Sequence, residues 1–193
     1  MYLKIKQLFD YLFSFCLAII LAPLFFLITI IIKLDSKGPV LFKQKRIGKD
    51  NVSFDIYKFR TMRTDTPKDM PTHLLNDATS FITHIGAFLR KSSLDELPQL
   101  FNILRGEMSF IGPRPALWNQ YDLIELRKTV HADQLKPGIT GWAQVNGRDE
   151  LPLGVKADYD GYYAKHVSFI LDVKIFFKTI LSVLKADGIR EGK

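Results

Sequence analysis

Twenty-one consecutive residues without a charge, Leu12 to Ile32, constrain this chain more than any other feature. At about 1.5 Å per residue, a helix of that length reaches across a hydrocarbon core of about 30 Å. The run has no polar face, so it does not read as a helix of a soluble core. It is too long for the apolar part of a signal peptide, and no small-residue cleavage site follows it. Pro23, directly after Ala22, stands in the middle, removes one backbone hydrogen bond and bends the helix. Two arrangements follow. One is a kinked span, and the other is a helix–break–helix that enters and leaves the same leaflet. Lys4 and Lys6 precede the run and Lys33 and Lys37 follow it, so the cations give a span no orientation. A re-entrant hairpin places both basic flanks on one side.

The remainder of the 193 residues is enough for one domain with a real core. The net charge of +7 calls for an anionic partner: nucleic acid, anionic lipid or a phosphorylated substrate. The 15 phenylalanines speak against disorder. Cys16 is the single cysteine, which excludes a disulfide framework and a cysteine-based zinc site. His73, His84, His131 and His166 lack metal-ligand spacing and read as surface or packing residues.

Asp35 to Pro39 reads as a turn that ends the membrane part. Beyond it, a basic stretch from Lys43 to Lys49 leads to a short strand over Phe54 to Phe59. Lys58, Arg60 and Arg63 form a cationic patch there, read either as a phosphate site or as a solvated or lipid-facing basic surface. Residues 64–80 are polar and loop-like. Phe81 to Leu89 has a helical apolar pattern, as do residues 116–129. Pro137 to Arg148 holds three glycines, and its N–H groups, with Lys136 and Arg148, suit a phosphate or nucleotide as well as they suit a compact loop around Trp142. Residues 153–166 predict a helix with a polar-aromatic face. Phe169 to Leu184 predicts a basic amphipathic helix whose apolar stripe is Phe169, Ile170, Val173, Phe176, Phe177, Ile180 and Leu184.

Between these elements lies the chemical centre. Asp95 and Glu96 are adjacent, near Arg90, Lys91 and Arg105, and Leu94, Leu97, Leu100, Phe101 and Leu104 follow helical spacing. The carboxylates therefore stand at or just before a helix N-terminus, where the positive potential favours their ionised form. The pairs Ser92 with Asp95 and Ser93 with Glu96 also match a capping box, in which the acid only satisfies a backbone N–H. The rigid Gly112-Pro113-Arg114-Pro115 segment can fix one guanidinium nearby. No phosphate-binding G-x-x-x-x-G-K-[ST] loop, G-x-S-x-G elbow or H-E-x-x-H motif is present. An ionised carboxylate among fixed cations can attack phosphorus, given neutralisation of the phosphate oxygens and a metal for the leaving group.

Four collinear motifs now carry a resemblance. They are Tyr57-Lys58-Phe59-Arg60-Thr61-Met62, Leu89 to Leu100, Gly106 to Pro115, and Pro137 to Arg148. Together they resemble the monotopic polyprenyl-phosphate phosphoglycosyl transferases, the bacterial sugar transferase family, over essentially the whole chain. The Ala116-Leu117-Trp118-Asn119-Gln120-Tyr121 stretch looks most like the capsule-biosynthesis members. The resemblance implies transfer of a sugar 1-phosphate from a UDP-sugar to undecaprenyl phosphate, with release of UMP. It implies that Asp95 is the nucleophile of a covalent phosphosugar intermediate, that Glu96 assists, and that Mg²⁺ binds at this pair. Lys58, Arg60, Arg90 and Arg114 match the substrate- and phosphate-binding positions, and Arg148 falls where a nucleotide contact is expected. The capsule likeness tilts the sugar towards an N-acetylated one. The family's membrane segment is re-entrant and broken at a Ser-Pro pair, which here is Ala22-Pro23, so Pro23 alone makes the break.

The expected fold is thus α-rich mixed α/β. It has a membrane-embedded re-entrant helix over residues 1–34 and a small, membrane-associated catalytic domain with amphipathic interfacial helices over residues 35–193. The expected setting is the cytoplasmic face of the bacterial inner membrane. The expected partners are the UDP-sugar, undecaprenyl phosphate and the bilayer, with no nucleic acid and an optional homodimer. Two other readings set the tests. A membrane-anchored binding protein would bind anions without needing Asp95, and a hydrolase would release product without a polyprenyl acceptor.

Overall fold

A computed structural model of the chain describes residues 1–67, 78–147 and 151–185. Two helices open it, α1 (Tyr2–Ile20) and α2 (Ala22–Asp35), and they meet at 61°. The bend falls at Leu21, and Pro23 sits in the first turn of α2, where its missing N–H breaks no helical bond. Among the described residues no single helix is long and apolar enough to cross a membrane, although the bent pair together has the length and composition.

Strands β1 (Leu41–Ile47) and β2 (Ser53–Phe59) form an antiparallel hairpin in which Phe42 pairs with Lys58. Helices α3 (Ala78–Phe81) and α4 (His84–Lys91) come next, broken at Ile82-Thr83 where the sequence predicts one helix. The Thr83 side chain caps α4 by accepting from the Gly86 N–H at 3.0 Å. Helix α5 (Gln99–Leu104) and strand β3 (Ser109–Ile111) precede the short β4 (Ala116–Leu117), which adds to the free edge of β1. Helix α6 (Tyr121–Thr129) leads to β5 (Gly138–Thr140), which pairs in parallel with β3. Helices α7 (Leu153–His166) and α8 (Phe169–Lys185) end the described chain.

The first two helices share the core of the rest. Ile28 and Ile32 of α2 pack with Phe59 of β2 and Leu89 of α4. Leu17, Leu21 and Phe25 cover the cluster of Ile56, Leu100, Ile103 and Met108. Polar bonds strengthen the attachment: Asp172 of α8 accepts from Tyr2 at 2.6 Å and from Tyr163 at 2.7 Å, and it pairs with Lys6 at 2.9 Å. The apolar helices and the elements that follow them are therefore one packed body.

Much apolar surface is left uncovered. Leu8, Phe9, Leu12, Phe13, Phe15, Ile19 and Ile20 of α1 are exposed, as are Phe26 and Leu27 of α2. Helix α8 turns Leu171, Asp172 and Ile175 inward. The predicted stripe faces the other way: Phe169, Ile170, Phe176, Phe177 and Ile180 are all exposed. An uncovered patch of this kind marks an interaction surface.

Candidate active site

The carboxylate pair is built by an abrupt stop in α4. Ser93 takes a left-handed backbone conformation (φ 57°) and turns the chain into a single 3₁₀ turn, Leu94–Glu96, ahead of Pro98 and α5. A non-glycine residue in that region is uncommon and persists where the surrounding structure holds it there. The capping box does not form. Ser92 Oγ donates back to the Phe88 carbonyl at 2.8 Å, and Ser93 makes no side-chain cap. Asp95 and Glu96 are thereby left for other partners.

Lys58 is the principal one. Its Nζ lies 2.6 Å from Glu96 Oε1 and 3.9 Å from Asp95 Oδ2. Arg114 reaches the same Glu96 oxygen at 3.4 Å. Burial pushes the Asp95 carboxyl above its ordinary range; Lys58 opposes that shift and the Glu96 charge adds to it. Burial also works to raise Glu96. The charges of Lys58 and Arg114, and their hydrogen bonds, outweigh it and hold this carboxyl down at about 2. Two neighbouring acids are thus driven apart by their surroundings, the pattern of a site with divided roles.

Asn102 fixes the distance between β2 and α5, and sequence reasoning did not single it out. It is fully buried, accepts from the Tyr57 N–H at 3.0 Å, and donates to the Asp55 carbonyl at 2.8 Å and to Glu107 at 2.7 Å. The signal was there, in a lone asparagine on the apolar face of α5. Arg114 is placed by close backbone contact. A Cβ on Gly141 would overlap the Gly112 carbonyl, and the Gly138 N–H donates to the Pro113 carbonyl at 2.9 Å. Glycine is required where two backbones approach like this.

Asp95, Glu96, Lys58, Arg90 and Arg114 all line one cavity of about 1020 Å³. Arg90, at the end of α4, acts on Asp95 through its charge. Arg60 borders the cavity too, but its guanidinium is committed elsewhere. It donates to the Lys37 carbonyl at 3.0 Å, the Ser36 carbonyl at 2.7 Å and Ser36 Oγ at 2.8 Å, closing the C-terminus of α2. Arg148 lies outside the described residues. The cavity's walls run from Leu17 and Leu21 at the helix bend to Gln144, Asp160 and Thr179. Asp160 is held by Arg127 at 2.9 and 2.7 Å, a buried pair that was not foreseen.

Among the described residues no group of three or more His, Cys, Asp or Glu is placed to hold a metal. Two adjacent carboxylates suit Mg²⁺ nonetheless, because that ion takes one or two carboxylates and completes its shell with water and substrate phosphate.

The sequence model of the bacterial sugar transferases matches residues 1–186. An undecaprenyl-phosphate glucose phosphotransferase of Komagataeibacter xylinus is 43% identical over 91% of this chain. A UDP-N-acetylgalactosamine-undecaprenyl-phosphate N-acetylgalactosaminephosphotransferase of Aeromonas hydrophila is 40% identical over 98% of it. The chain spans 35% and 46% of the length of those two relatives. An uncharacterized sugar transferase of Bacillus subtilis, EpsL, is 38% identical over 97% of this chain and 91% of its own length. With the matched region covering nearly every residue described above, the chain belongs to the bacterial sugar transferase family.

Proposed function

We propose that the protein transfers a sugar 1-phosphate from a UDP-sugar to undecaprenyl phosphate, releasing UMP and forming undecaprenyl-diphospho-sugar. The single observation that carries this reading is the pair of buried Asp95 and half-buried Glu96, faced by Lys58 and Arg114 in one large cavity. The names of the relatives supply the donor and acceptor classes.

The residues divide the work. An Asp95 oxygen attacks the sugar-bearing phosphorus of the donor, forming an acyl phosphate and breaking the bond to the UMP oxygen. A phosphate oxygen of the acceptor then attacks the same phosphorus and regenerates the carboxylate. Lys58 and Arg114 neutralise the phosphate oxygens, and Arg90 adds charge beside Asp95. Glu96 stays ionised and holds both cations in place. Mg²⁺ bound by Asp95 and Glu96 would supply charge neutralisation of the diphosphate. The sugar in this reading is an N-acetylated one, as the capsule-like motif implies and as the Aeromonas relative is named for, while the Komagataeibacter relative is named for glucose.

The bent α1–α2 pair enters one leaflet and returns, and the uncovered faces of α1, α2 and α8 lie in the bilayer. The cavity then opens at the interface where both a soluble donor and a lipid acceptor arrive, on the cytoplasmic side. The test is UMP release from a panel of UDP-sugars with Mg²⁺, with and without undecaprenyl phosphate. Acceptor-dependent release with one donor supports the transferase. Repeated turnover without acceptor, beyond the stoichiometric UMP released in forming the Asp95 adduct, shows a hydrolase instead, and release only from a donor lacking an acetyl group refutes the sugar assignment.

A further inference from the structure

Gln144 stands in a short turn, Gln144–Asn146, and lines the same cavity as Asp95 and Arg114. The turn is fixed from three sides. Asn146 Nδ2 donates to the Trp142 carbonyl at 2.7 Å, Lys178 Nζ donates to Asn146 Oδ1 at 2.8 Å, and the Val145 N–H donates to the Gly141 carbonyl at 3.1 Å. Gly141 presses on Gly112, the residue that opens the segment presenting Arg114 to Glu96. Gln144 is therefore anchored one loop away from a cation of the carboxylate site. Its own side chain is the exception in this tied structure. Nε2 and Oε1 are both shielded from solvent, and neither has a hydrogen-bond partner. A carboxamide in that state has given up water without replacement, so a ligand that offers an acceptor and a donor side by side restores both bonds.

The shape of the amide selects the ligand. A glutamine carboxamide presents N–H and C=O on one edge. The matching edge has its own N–H and C=O on the same side, as in a cyclic imide such as uracil at N3 and C4. An N-acetyl group is a trans amide, with N–H and C=O pointing opposite ways, and it meets only half of the glutamine. A sugar hydroxyl concentrates donor and acceptor on one atom and likewise spans only half. The geometry points to Gln144 as a specificity residue that reads the imide edge of the donor's uracil, changing side-chain rotamer as the base enters. This rests on the reading of the chain as a UDP-sugar transferase.

The test is titration of the full-length protein in detergent with UMP and with N3-methyl-UMP, in the presence of Mg²⁺, for wild type, Q144A and Q144M. Methionine keeps the length and volume of the side chain without its hydrogen-bonding groups, so it serves if the alanine variant fails to fold. The expected result is that wild type prefers UMP over N3-methyl-UMP by at least about tenfold, the discrimination of one lost bidentate edge. Both variants then bind the two ligands alike, as weakly as wild type binds the methylated one. A structural role alone weakens both ligands equally and keeps the preference, which overturns the inference. Preserved UMP preference with an altered choice between acetylated and plain UDP-sugars also overturns it. If wild type binds neither nucleotide, the donor reading itself fails.

Discussion

Replacing Lys58 by methionine removes the cation shared by two neighbouring carboxylates. Lys58 Nζ lies 2.6 Å from Glu96 and 3.9 Å from Asp95, with its side chain 18% exposed. The Glu96 carboxyl moves from 4.5 to about 2. At about 1.4 kcal/mol per pH unit, that displacement corresponds to about 3 kcal/mol of stability at neutral pH. Lys58 contributes more than Arg114, whose side chain is 42% exposed and therefore better screened. Methionine keeps the apolar stem, so little packing is lost. The expected cost of K58M is about 2 kcal/mol at pH 7. The sign of the pH dependence follows from the direction of the shift. A carboxyl with a depressed folded pKa stabilises the protein above its unfolded value, and that contribution fades as pH falls through the folded one. The gap between wild type and variant is thus flat from neutral pH to about pH 5 and falls to about half by pH 3. The assay is urea unfolding of detergent-solubilised protein, followed by the fluorescence of Trp118 and Trp142. A gap that does not change between pH 7 and pH 3, or one below about 0.5 kcal/mol, refutes the electrostatic account of this site.

Three further outcomes follow from the same geometry. Asp95 is buried and its carboxyl is pushed upward, so at neutral pH its charge opposes folding; D95N abolishes turnover and raises the thermal midpoint, measured by scanning fluorimetry. Arg60 binds Ser36 and Lys37 through two guanidinium nitrogens, a fork that lysine cannot reproduce; R60K costs about 1–3 kcal/mol in the same urea assay. Ile103 is completely buried against Leu100 and Met108, and I103A costs about 2–5 kcal/mol, read from the shift of the urea midpoint at unchanged slope.

Legibility in the sequence varied with the range of the interaction. The apolar run announced the two bent helices, and the alternation of Phe54 to Phe59 announced β2, because both patterns are local. The grouping of Asp95 and Glu96 with Lys58 and Arg114 was legible through the four motifs. No spacing rule brings residue 58 to residue 96, since that contact depends on how β2 meets α5. The serines at 92 and 93 matched a capping box by letter, but Ser92 ends α4 and bonds back into it, and Ser93 makes no side-chain cap. Arg60 shared its charge and neighbourhood with Lys58; β2 ends at Phe59, though, and past the strand Arg60 donates to Ser36 and Lys37 and closes α2 instead. The stripe on α8 was read correctly as a stripe and left its partner open. The polar residue Asp172, bound to Tyr2, Lys6 and Tyr163, decides which face turns inward. Asn102 and Gln144 stood within or beside the quoted motifs, and only their hydrogen bonds, made or missing, set them apart.

The most direct measurement is the mass of the protein after a brief reaction with UDP-sugar and Mg²⁺ in the absence of undecaprenyl phosphate, quenched in acid and mapped by peptide. The account predicts an added sugar phosphate on the peptide containing Asp95. The adduct disappears when acceptor is supplied and never forms in D95N. An unmodified Asp95 peptide under conditions where UMP is released, or an adduct that persists in D95N, would contradict it.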